Sequence, residues 1–319
     1  MKFLGYALAR VGIALFTMFS VTVIVFAAMR MLPGGFEMII LGPIQTEEVR
    51  AVITQKFGLD KPLPVQFLRW LLAAVQGDFG TSMITQTPVA DELLRRAPAT
   101  LQLALMSVAA VLLVGLPLGV ASGIGNSSRK VKAGARLIGA LGAGTPDFVL
   151  GTILVYIFSV WSLGLTVGGY APFIDDPIAN LRAMALPTLT LSVFGIALVL
   201  RTTRESVLTV MTSGHITAAV ARGETPFEIV TRQVLRNASL PVLTVTTMYF
   251  SALIGGAVIV ETLFSIPGIG LYTWNSLHNR DYVVTQSAVL IFSAVFITFN
   301  MLVDIAYALI DPRIKSTRR

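Results

Sequence analysis

The feature that most constrains this chain is a series of apolar runs, each close to the length that a helix needs to cross a bilayer. A transmembrane helix takes about 20 predominantly apolar residues. Charged residues make up 13% of the 319-residue chain, against about 25% in soluble globular domains. We therefore expect an all-α polytopic membrane protein with six transmembrane helices. The predicted spans are residues 11–29, 99–123, 137–163, 186–200 with an extension past Arg204, 242–260 and 286–310.

The polar segments between these spans divide the chain into four parts. One of them, the segment after the first span, carries many charges together with Phe57, Phe67 and Trp70. Because a flexible linker lacks such apolar content, this segment is predicted to be a folded extracytoplasmic insert. The first part is an N-terminal transmembrane helix (residues 1–32), and the second is the insert (33–97). The third is a core with five transmembrane helices and a cytoplasmic loop (98–311, with the loop at 204–240), and the fourth is a cytoplasmic tail (312–319).

Basic residues are distributed unevenly between the two sides of this predicted topology. The two short outer loops contain only Arg182 and Arg280, and Lys and Arg are enriched in the cytoplasmic loops of membrane proteins. The sequence therefore predicts a multi-pass membrane protein with both termini in the cytoplasm. The basic residues on the cytoplasmic side are Lys2, Arg10, Arg129, Lys130, Lys132, Arg136, Arg201, Arg204, Arg222, Arg232, Arg236, Arg313, Lys315, Arg318 and Arg319.

Three glycines at four-residue spacing lie in the second predicted span. Gly115, Gly119 and Gly123 leave one face of that helix without side chains. Small residues at this spacing allow two helix backbones to approach closely inside a membrane. This face is therefore predicted to pack directly against a neighbouring helix.

A polar stretch, residues 201–241, separates the fourth and fifth spans and contains signals for two short helices. Ser213 suits the N-cap of a helix over residues 214–222, and Gly223 suits the left-handed position after it. Thr225-Pro226-Phe227-Glu228 is typical of a capping box that starts the second helix. The residues predicted to share one apolar face of that helix are Phe227, Val230, Val234 and Ala238.

Two roles for this stretch remain open from its residues alone. A basic amphipathic segment can rest on a surface of anionic lipid. The first helix, however, carries Ala218, Ala219 and Ala221 and lacks the Trp, Phe or Leu face that embeds in lipid. Its small side chains favour insertion into a groove on another protein.

Several residues of the stretch form a known pattern. Ala218-Ala219, Gly223 and Leu240-Pro241 resemble the cytoplasmic loop signature of ABC-importer permeases. Thr217 departs from that signature, which often has Glu there, and Arg222 replaces a commoner Lys with retention of charge. Segments across nearly the whole chain resemble the dipeptide, oligopeptide and nickel permease branch: residues 57–82, 96–101, 221–223, 232–238, 241, 255–256, 261–264, 267–270, 280–282, 304, 307 and 311–314.

The resemblance implies a MetI-like permease core with an extra N-terminal helix and an extracytoplasmic insert. It also implies a translocation pathway, formed with a homologous permease, for peptides or a similar small solute. The implied partners are that permease, two ATP-binding subunits or domains, an extracytoplasmic solute-binding protein and the lipid bilayer, without nucleic acid. The first helix of the loop would be a coupling helix bound to an ATPase through His215, Thr217, Ala218, Ala219, Ala221, Arg222, Gly223 and Glu224.

The chain carries no recognisable motif for chemistry of its own. It lacks a Gly-x-x-x-x-Gly-Lys-Ser/Thr loop, a Gly-x-Ser-x-Gly elbow and a His-Glu-x-x-His helix. With no cysteine and two histidines, a Cys-based or multi-histidine metal site is not expected. We expect a transport subunit rather than an enzyme, with no cofactor in this chain and with ATP and Mg²⁺ on partner ATPase subunits.

Polar residues within the spans are candidates for a pathway or for contacts inside the bundle, because charge in hydrocarbon is costly. These candidates are Asp147, Glu261, Asn300 and Asp304. The main alternative function is an ion-coupled secondary transporter acting without an ATPase. That alternative predicts broken helices around a midplane site, often with inverted repeats, and no convincing inverted repeat is present. A third is a membrane-anchored scaffold in which the insert is an interaction module.

Overall fold

The computed structural model describes residues 2–31, 51–52, 54–55, 58, 60–124, 127–161 and 164–310. In these ranges the regular structure is helical, with one isolated β-bridge between Thr81 and Pro88, which confirms the all-α prediction. The principal helices are α1 (Lys2–Met31), α2 (Leu63–Val75), α3 (Val89–Gly123), α4 (Arg129–Gly144), α5 (Asp147–Val160), α6 (Pro177–Met211), α7 (Gly214–Ala221), α8 (Leu235–Leu263), α9 (Ile269–His278) and α10 (Tyr282–Ile310).

Five helical segments in the described part of the chain are long and apolar enough to cross a membrane. They are Leu8–Met31 of α1, α3, α6, Ile229–Leu263 (which ends with α8) and Tyr282–Val303 of α10. Helices α4 and α5 meet the same criterion only as a pair, and the pair is bent by 103°. Counted as one span, this pair is the sixth.

The prediction of one continuous third span over residues 137–163 is wrong. Helix α4 ends at Gly144 and α5 begins at Asp147, with Thr145 and Pro146 between them in extended backbone. Proline lacks an N–H to donate and also disfavours helical backbone in the residue before it. The Thr145-Pro146 pair therefore ends α4 and lets the chain turn before α5.

Every spanning helix begins earlier than hydropathy predicts, and α3, α4 and α6 are the clearest cases. Helix α4 begins at Arg129, where the Ser128 hydroxyl accepts a hydrogen bond from a first-turn N–H at 3.3 Å, so the basic segment between the second and third predicted spans is helical from Arg129. Helix α6 begins at Pro177, because Asp176 accepts hydrogen bonds from two N–H groups of the first turn at 3.0 and 2.9 Å. Helix α3 begins at Val89. A hydropathy window finds the apolar centre of a helix and misses its polar first turns.

The chain divides into two compact units, Met1–Pro98 with Gly268–Arg319, and Ala99–Pro267. In the first unit, Ser82 Oγ donates to Asp281 Oδ2 at 2.6 Å, and both residues are buried. Asp281 Oδ1 also accepts from Val284 N at 3.2 Å and so caps α10. This carboxylate joins the loop before α3 to the start of α10. The apolar cluster nearby contains Val89, Leu93, Ile269, Tyr272, Val284 and Ala288.

In the second unit, α3 and α6 are in close contact along the three glycines. A Cβ added at Gly119 would lie 2.5 Å from Thr203 Cβ and 2.9 Å from the Leu200 carbonyl oxygen. A Cβ added at Gly123 would lie 2.7 Å from Val207 Cβ. Distances below 3.0 Å leave no room for even a methyl group. The prediction that this glycine face packs directly against a neighbouring helix is confirmed.

Candidate coupling loop

Helix α7, predicted over residues 214–222, is a helix over Gly214–Ala221 with a well-defined end. Gly223 N donates to Val220 O at 2.9 Å, and Glu224 N donates to Ala219 O at 3.1 Å. These two bonds are the Schellman motif, which needs a left-handed residue just after the cap. Gly223 has φ +83°, a conformation that costs glycine nothing and strains other residues. The predicted conformational role of Gly223 is therefore confirmed.

The start of α7 differs from the prediction. Ser213 occupies the N-cap position with extended backbone, but its hydroxyl makes no hydrogen bond to the first turn. Its Oγ instead bonds to the Val210 carbonyl and to His215 Nδ1, the latter at 2.9 Å. Because α6 ends at Met211, the Val210 carbonyl lacks a partner within that helix. Ser213 supplies this partner through its backbone N–H, at 3.0 Å, and also through its hydroxyl, which is not used as a cap.

Helix α7 has a buried side and an exposed side that face in opposite directions. Ile216 and Ala219 are buried and pack with Val207, Ile229 and Val234. Successive residues are about 100° apart around a helix, so the opposite side is formed by residues one or two positions away. We call this side the small face of α7; its members are exposed and are Gly214, Thr217, Ala218 and Ala221.

The prediction that Ala219 lies on the same docking surface as Ala218 and Ala221 is wrong. Ala219 has no exposed area, because it lies one turn from Ile216 on the side that packs against the rest of the chain. Thr217, Ala218 and Ala221 remain on the exposed side, and His215 is exposed beside them. The alanines alone do not determine which side of α7 is buried, whereas the packing of Ile216 does.

The predicted capping box is present after Gly223. Thr225 N donates to Glu228 Oε2 at 2.9 Å, and Glu228 N donates to Thr225 Oγ1 at 3.3 Å. The Thr225 hydroxyl also donates to Glu228 Oε2 at 3.0 Å. The Thr225 N–H first, and its hydroxyl second, hold the pKa of Glu228 below its ordinary value, because both bonds favour the charged carboxylate.

We expect this capping box to weaken in acid. A carboxylate whose pKa is lowered by folding stabilises the folded loop above the ordinary glutamate pKa, about 4.3. That contribution is lost as the pH falls through the lowered value. Hydrogen–deuterium exchange of residues 225–231 should be slower in the wild type than in Glu228→Ala at neutral pH, and the difference should shrink in acid. Comparison at each pH cancels the intrinsic exchange rate, and a constant difference would contradict the assignment.

The apolar face predicted for the second helix is broken by a π-helical segment. Pro226–Glu228 is a single turn, and Ile229–Val234 is π-helical before α8 begins. Ile229 and Val234 are buried, whereas Phe227 is 77% exposed. A π-helical turn takes more residues than an α-helical turn, so positions on either side of it do not share one stripe. The prediction that Phe227 lies on a face with Val234 and Ala238 is therefore wrong.

Arg222 and Glu224 form an ion pair beside the bend. Arg222 Nη2 lies 2.6 Å from Glu224 Oε1, and the Arg222 side chain is 59% exposed. An exposed pair of this kind contributes little to stability. Arg222 is at the C-cap of α7, where a positive charge interacts favourably with the helix dipole. The pair thus places charge directly beside the small face.

Two of the polar candidates within the spans lie inside the second unit. Glu261 on α8 is fully buried and accepts a hydrogen bond from Thr100 Oγ1 of α3 at 2.7 Å. Asp147 is the first residue of α5, and its Oδ2 lies 3.3 Å from the position of a Cβ added at Gly256. Glu261 therefore connects α8 to α3, and Asp147 lies where α5 approaches α8.

The other two polar candidates are on α10 in the first unit. Asn300 Nδ2 donates to the Phe296 carbonyl of its own helix at 2.8 Å. Asn300 also lines an open groove of about 470 Å³ between α1 and α10, together with Arg10 and Thr17. The side chain of Asp304 lies outside the part that the structure describes.

A buried amide pair was not predicted from the sequence. Asn180 on α6 is fully buried, and its Nδ2 donates to Gln102 Oε1 of α3 at 3.2 Å and to the Ala171 carbonyl at 2.7 Å. Tyr170 Oη donates to the same Gln102 oxygen at 3.4 Å. These bonds fix the segment before α6 to α3. The only sequence signal for this contact was one amide residue near the start of each of the two apolar runs, Gln102 and Asn180.

Sequence comparison places the chain among transport proteins. Residues 115–316 match the family described as "Binding-protein-dependent transport system inner membrane component", and residues 2–104 match its N-terminal counterpart. The chain is 36% identical to the probable peptide ABC transporter permease protein y4tP of Sinorhizobium fredii, over 97% of this chain and 99% of that protein. It is also 36% identical to the glutathione transport system permease protein GsiC of Salmonella paratyphi A, over 98% and 99%.

Comparison with solved structures finds the fold of this chain in an ABC transporter. A chain of the MetNI methionine ABC transporter, in an inward-facing conformation, has a TM-score of 0.55 with 17% identity. The match covers 69% of the present chain and 96% of the other. The family match and the two permease relatives together identify the chain as a transmembrane permease subunit. The chain belongs to the family of binding-protein-dependent transport system inner membrane components, the permeases of ABC importers.

Proposed function

We propose that this permease carries peptides or a similar small solute across a bacterial inner membrane, powered by ATP hydrolysis on partner subunits. The relatives named for peptide and for glutathione transport support this substrate class. In the proposal, the chain forms the pathway with a homologous permease, and an extracytoplasmic binding protein delivers the solute. Two ATP-binding subunits or domains hold ATP and Mg²⁺ on the cytoplasmic side.

The observation that carries the proposal is the small face of α7, which is exposed while the other side of the helix is packed. Gly214, Thr217, Ala218 and Ala221 leave the helix narrow enough to enter a groove on an ATPase. The buried side connects α7 to Val207 of α6 and to Ile229 and Val234 before α8. A displacement of α7 by the ATPases would therefore be transmitted directly to α6 and α8, two of the spans.

Uptake by the assembled complex in proteoliposomes tests this function. Labelled dipeptides, tripeptides and glutathione, each presented with the binding protein, should enter only with ATP, and vanadate should stop uptake. An ionophore that dissipates ion gradients should have no effect. Uptake that follows an ion gradient without ATP would instead establish the secondary transporter.

The proposed orientation can be tested by cysteine labelling, because the chain contains no cysteine of its own. Ala133 is exposed on the basic first part of α4, and Asp60 is exposed before α2. With both termini in the cytoplasm, Asp60→Cys should react with a membrane-impermeant maleimide in intact cells. Ala133→Cys should react only after the membrane is opened. Labelling of Ala133→Cys in intact cells would reverse the proposed topology.

A further inference from the structure

Helix α2 belongs to the segment that the sequence predicts to be outside the membrane, yet its contacts are with the middle of the first span. The Phe67 ring lies 5.9 Å from the Phe19 ring and 5.3 Å from the Phe26 ring, both edge-on. Arg30 Nε donates to Gln66 Oε1 at 3.1 Å. These contacts join consecutive residues of α2 to one side of α1.

The position of these contacts along α1 defines their depth. Arg10 and Arg30 bracket the uncharged part of α1 and are about 30 Å apart at 1.5 Å per residue, which is the thickness of a hydrocarbon core. Phe19 is near the middle of that length, and Phe26 is about 6 Å from the Arg30 end. A ring that contacts both therefore lies within the hydrocarbon region.

The side of α2 that faces away from α1 is exposed and aliphatic. Leu68 is 54% exposed, Leu72 63% and Val75 79%, and the three follow the helical spacing of one face. The opposite side, with Phe67 and Ala74, is the packed one. Exposed apolar residues are also present on α1, among them Leu15, Phe16 and Ile24.

The outer face of α2 could meet either another membrane helix or lipid, and its composition distinguishes between the two. Surfaces where membrane helices pack together are enriched in small residues and in polar groups that bond across the interface. The outer face of α2 has neither, because it consists of branched aliphatic side chains, with Arg69 at its edge. A long cationic side chain at such an edge can extend to the headgroups while its stem remains in hydrocarbon.

We propose that α2 is embedded in the bilayer beside α1, with Leu68, Leu72 and Val75 in contact with lipid acyl chains. This inference goes beyond the transport function and assigns to the bilayer a surface that the sequence places in water. The insert is then anchored in the bilayer at α2.

Spin labelling tests the proposal in the full complex in lipid nanodiscs, with a single cysteine in this cysteine-free chain. A nitroxide at Leu72→Cys reports collisions with oxygen, which concentrates in lipid, and with a water-soluble nickel chelate. A doxyl-labelled phospholipid in the same nanodiscs is the lipid reference. Asp60→Cys, on the same insert, is the aqueous reference, and Ala74→Cys is the matched control on the packed side of α2, where Ala74 is buried.

The proposal predicts that Leu72→Cys has the oxygen-to-nickel collision ratio of the doxyl lipid, whereas Ala74→Cys is inaccessible to both reagents. A ratio equal to that of Asp60→Cys would overturn it in favour of an insert in water. Low accessibility of Leu72→Cys to both reagents would overturn it in favour of a protein partner on this face. Neither outcome bears on ATP-dependent uptake, so the proposed function is tested separately.

Discussion

Ala218→Trp is expected to uncouple ATP hydrolysis from transport while the chain still folds and assembles. Ala218 is exposed on the small face of α7, so the substitution leaves the packing of Ile216 and Ala219 intact. An oversized side chain in a packed contact costs about 1–3 kcal/mol. A loss of this size weakens docking by a factor of about 5 to 150. Uptake should fall accordingly, and ATPase activity should lose its response to the loaded binding protein.

The matched control for this substitution is Val220→Trp. Val220 is 60% exposed on the same helix, but it lies toward the edge of the buried side and outside the small face. A tryptophan there should leave uptake and ATPase stimulation closer to wild type. Normal uptake and stimulation in Ala218→Trp, with the complex intact, would refute the docking role of the small face. Ala219→Trp does not provide this test, because Ala219 is buried and the substitution would disrupt the loop itself.

Gly119→Ala is expected to destabilise the membrane bundle, although alanine favours helix more than glycine does. The added methyl would lie 2.5 Å from Thr203 Cβ and 2.9 Å from a backbone oxygen of α6, so the helices must separate. Overpacking of this kind costs about 1–3 kcal/mol. The thermal unfolding midpoint of the purified permease should fall, and the yield of folded protein should fall with it.

Gly255→Ala separates this effect from helix propensity. Gly255 is in the middle of α8, and nothing lies within 4 Å of the position of its missing Cβ. The same substitution there should be neutral or should stabilise the helix, by about 0.5–1 kcal/mol. If both variants unfolded at the same temperature, the close contact of α3 with α6 would not be important for stability.

The local features of the coupling loop were largely predictable from the sequence, because they depend on neighbours in the chain. Gly223 takes up the left-handed conformation that ends α7, and Thr225 with Glu228 forms a capping box. Each involves residues no more than five positions apart. The spacing of Gly115, Gly119 and Gly123 predicted close packing for a similar reason, since a face without side chains allows contact whatever the neighbour is.

Which segments pack together, and which side of each helix is buried, depended on the tertiary structure. The sequence could not assign Ala219 to the buried side, because three alanines in four residues define no preferred side until Ile216 packs against Val207 and Val234. Hydropathy likewise located the third span but predicted neither its 103° bend nor its start at Arg129. The contact of Phe67 with Phe19 and Phe26 joins residues more than forty positions apart. Such a contact depends on the geometry of the folded chain, and no local pattern encodes it.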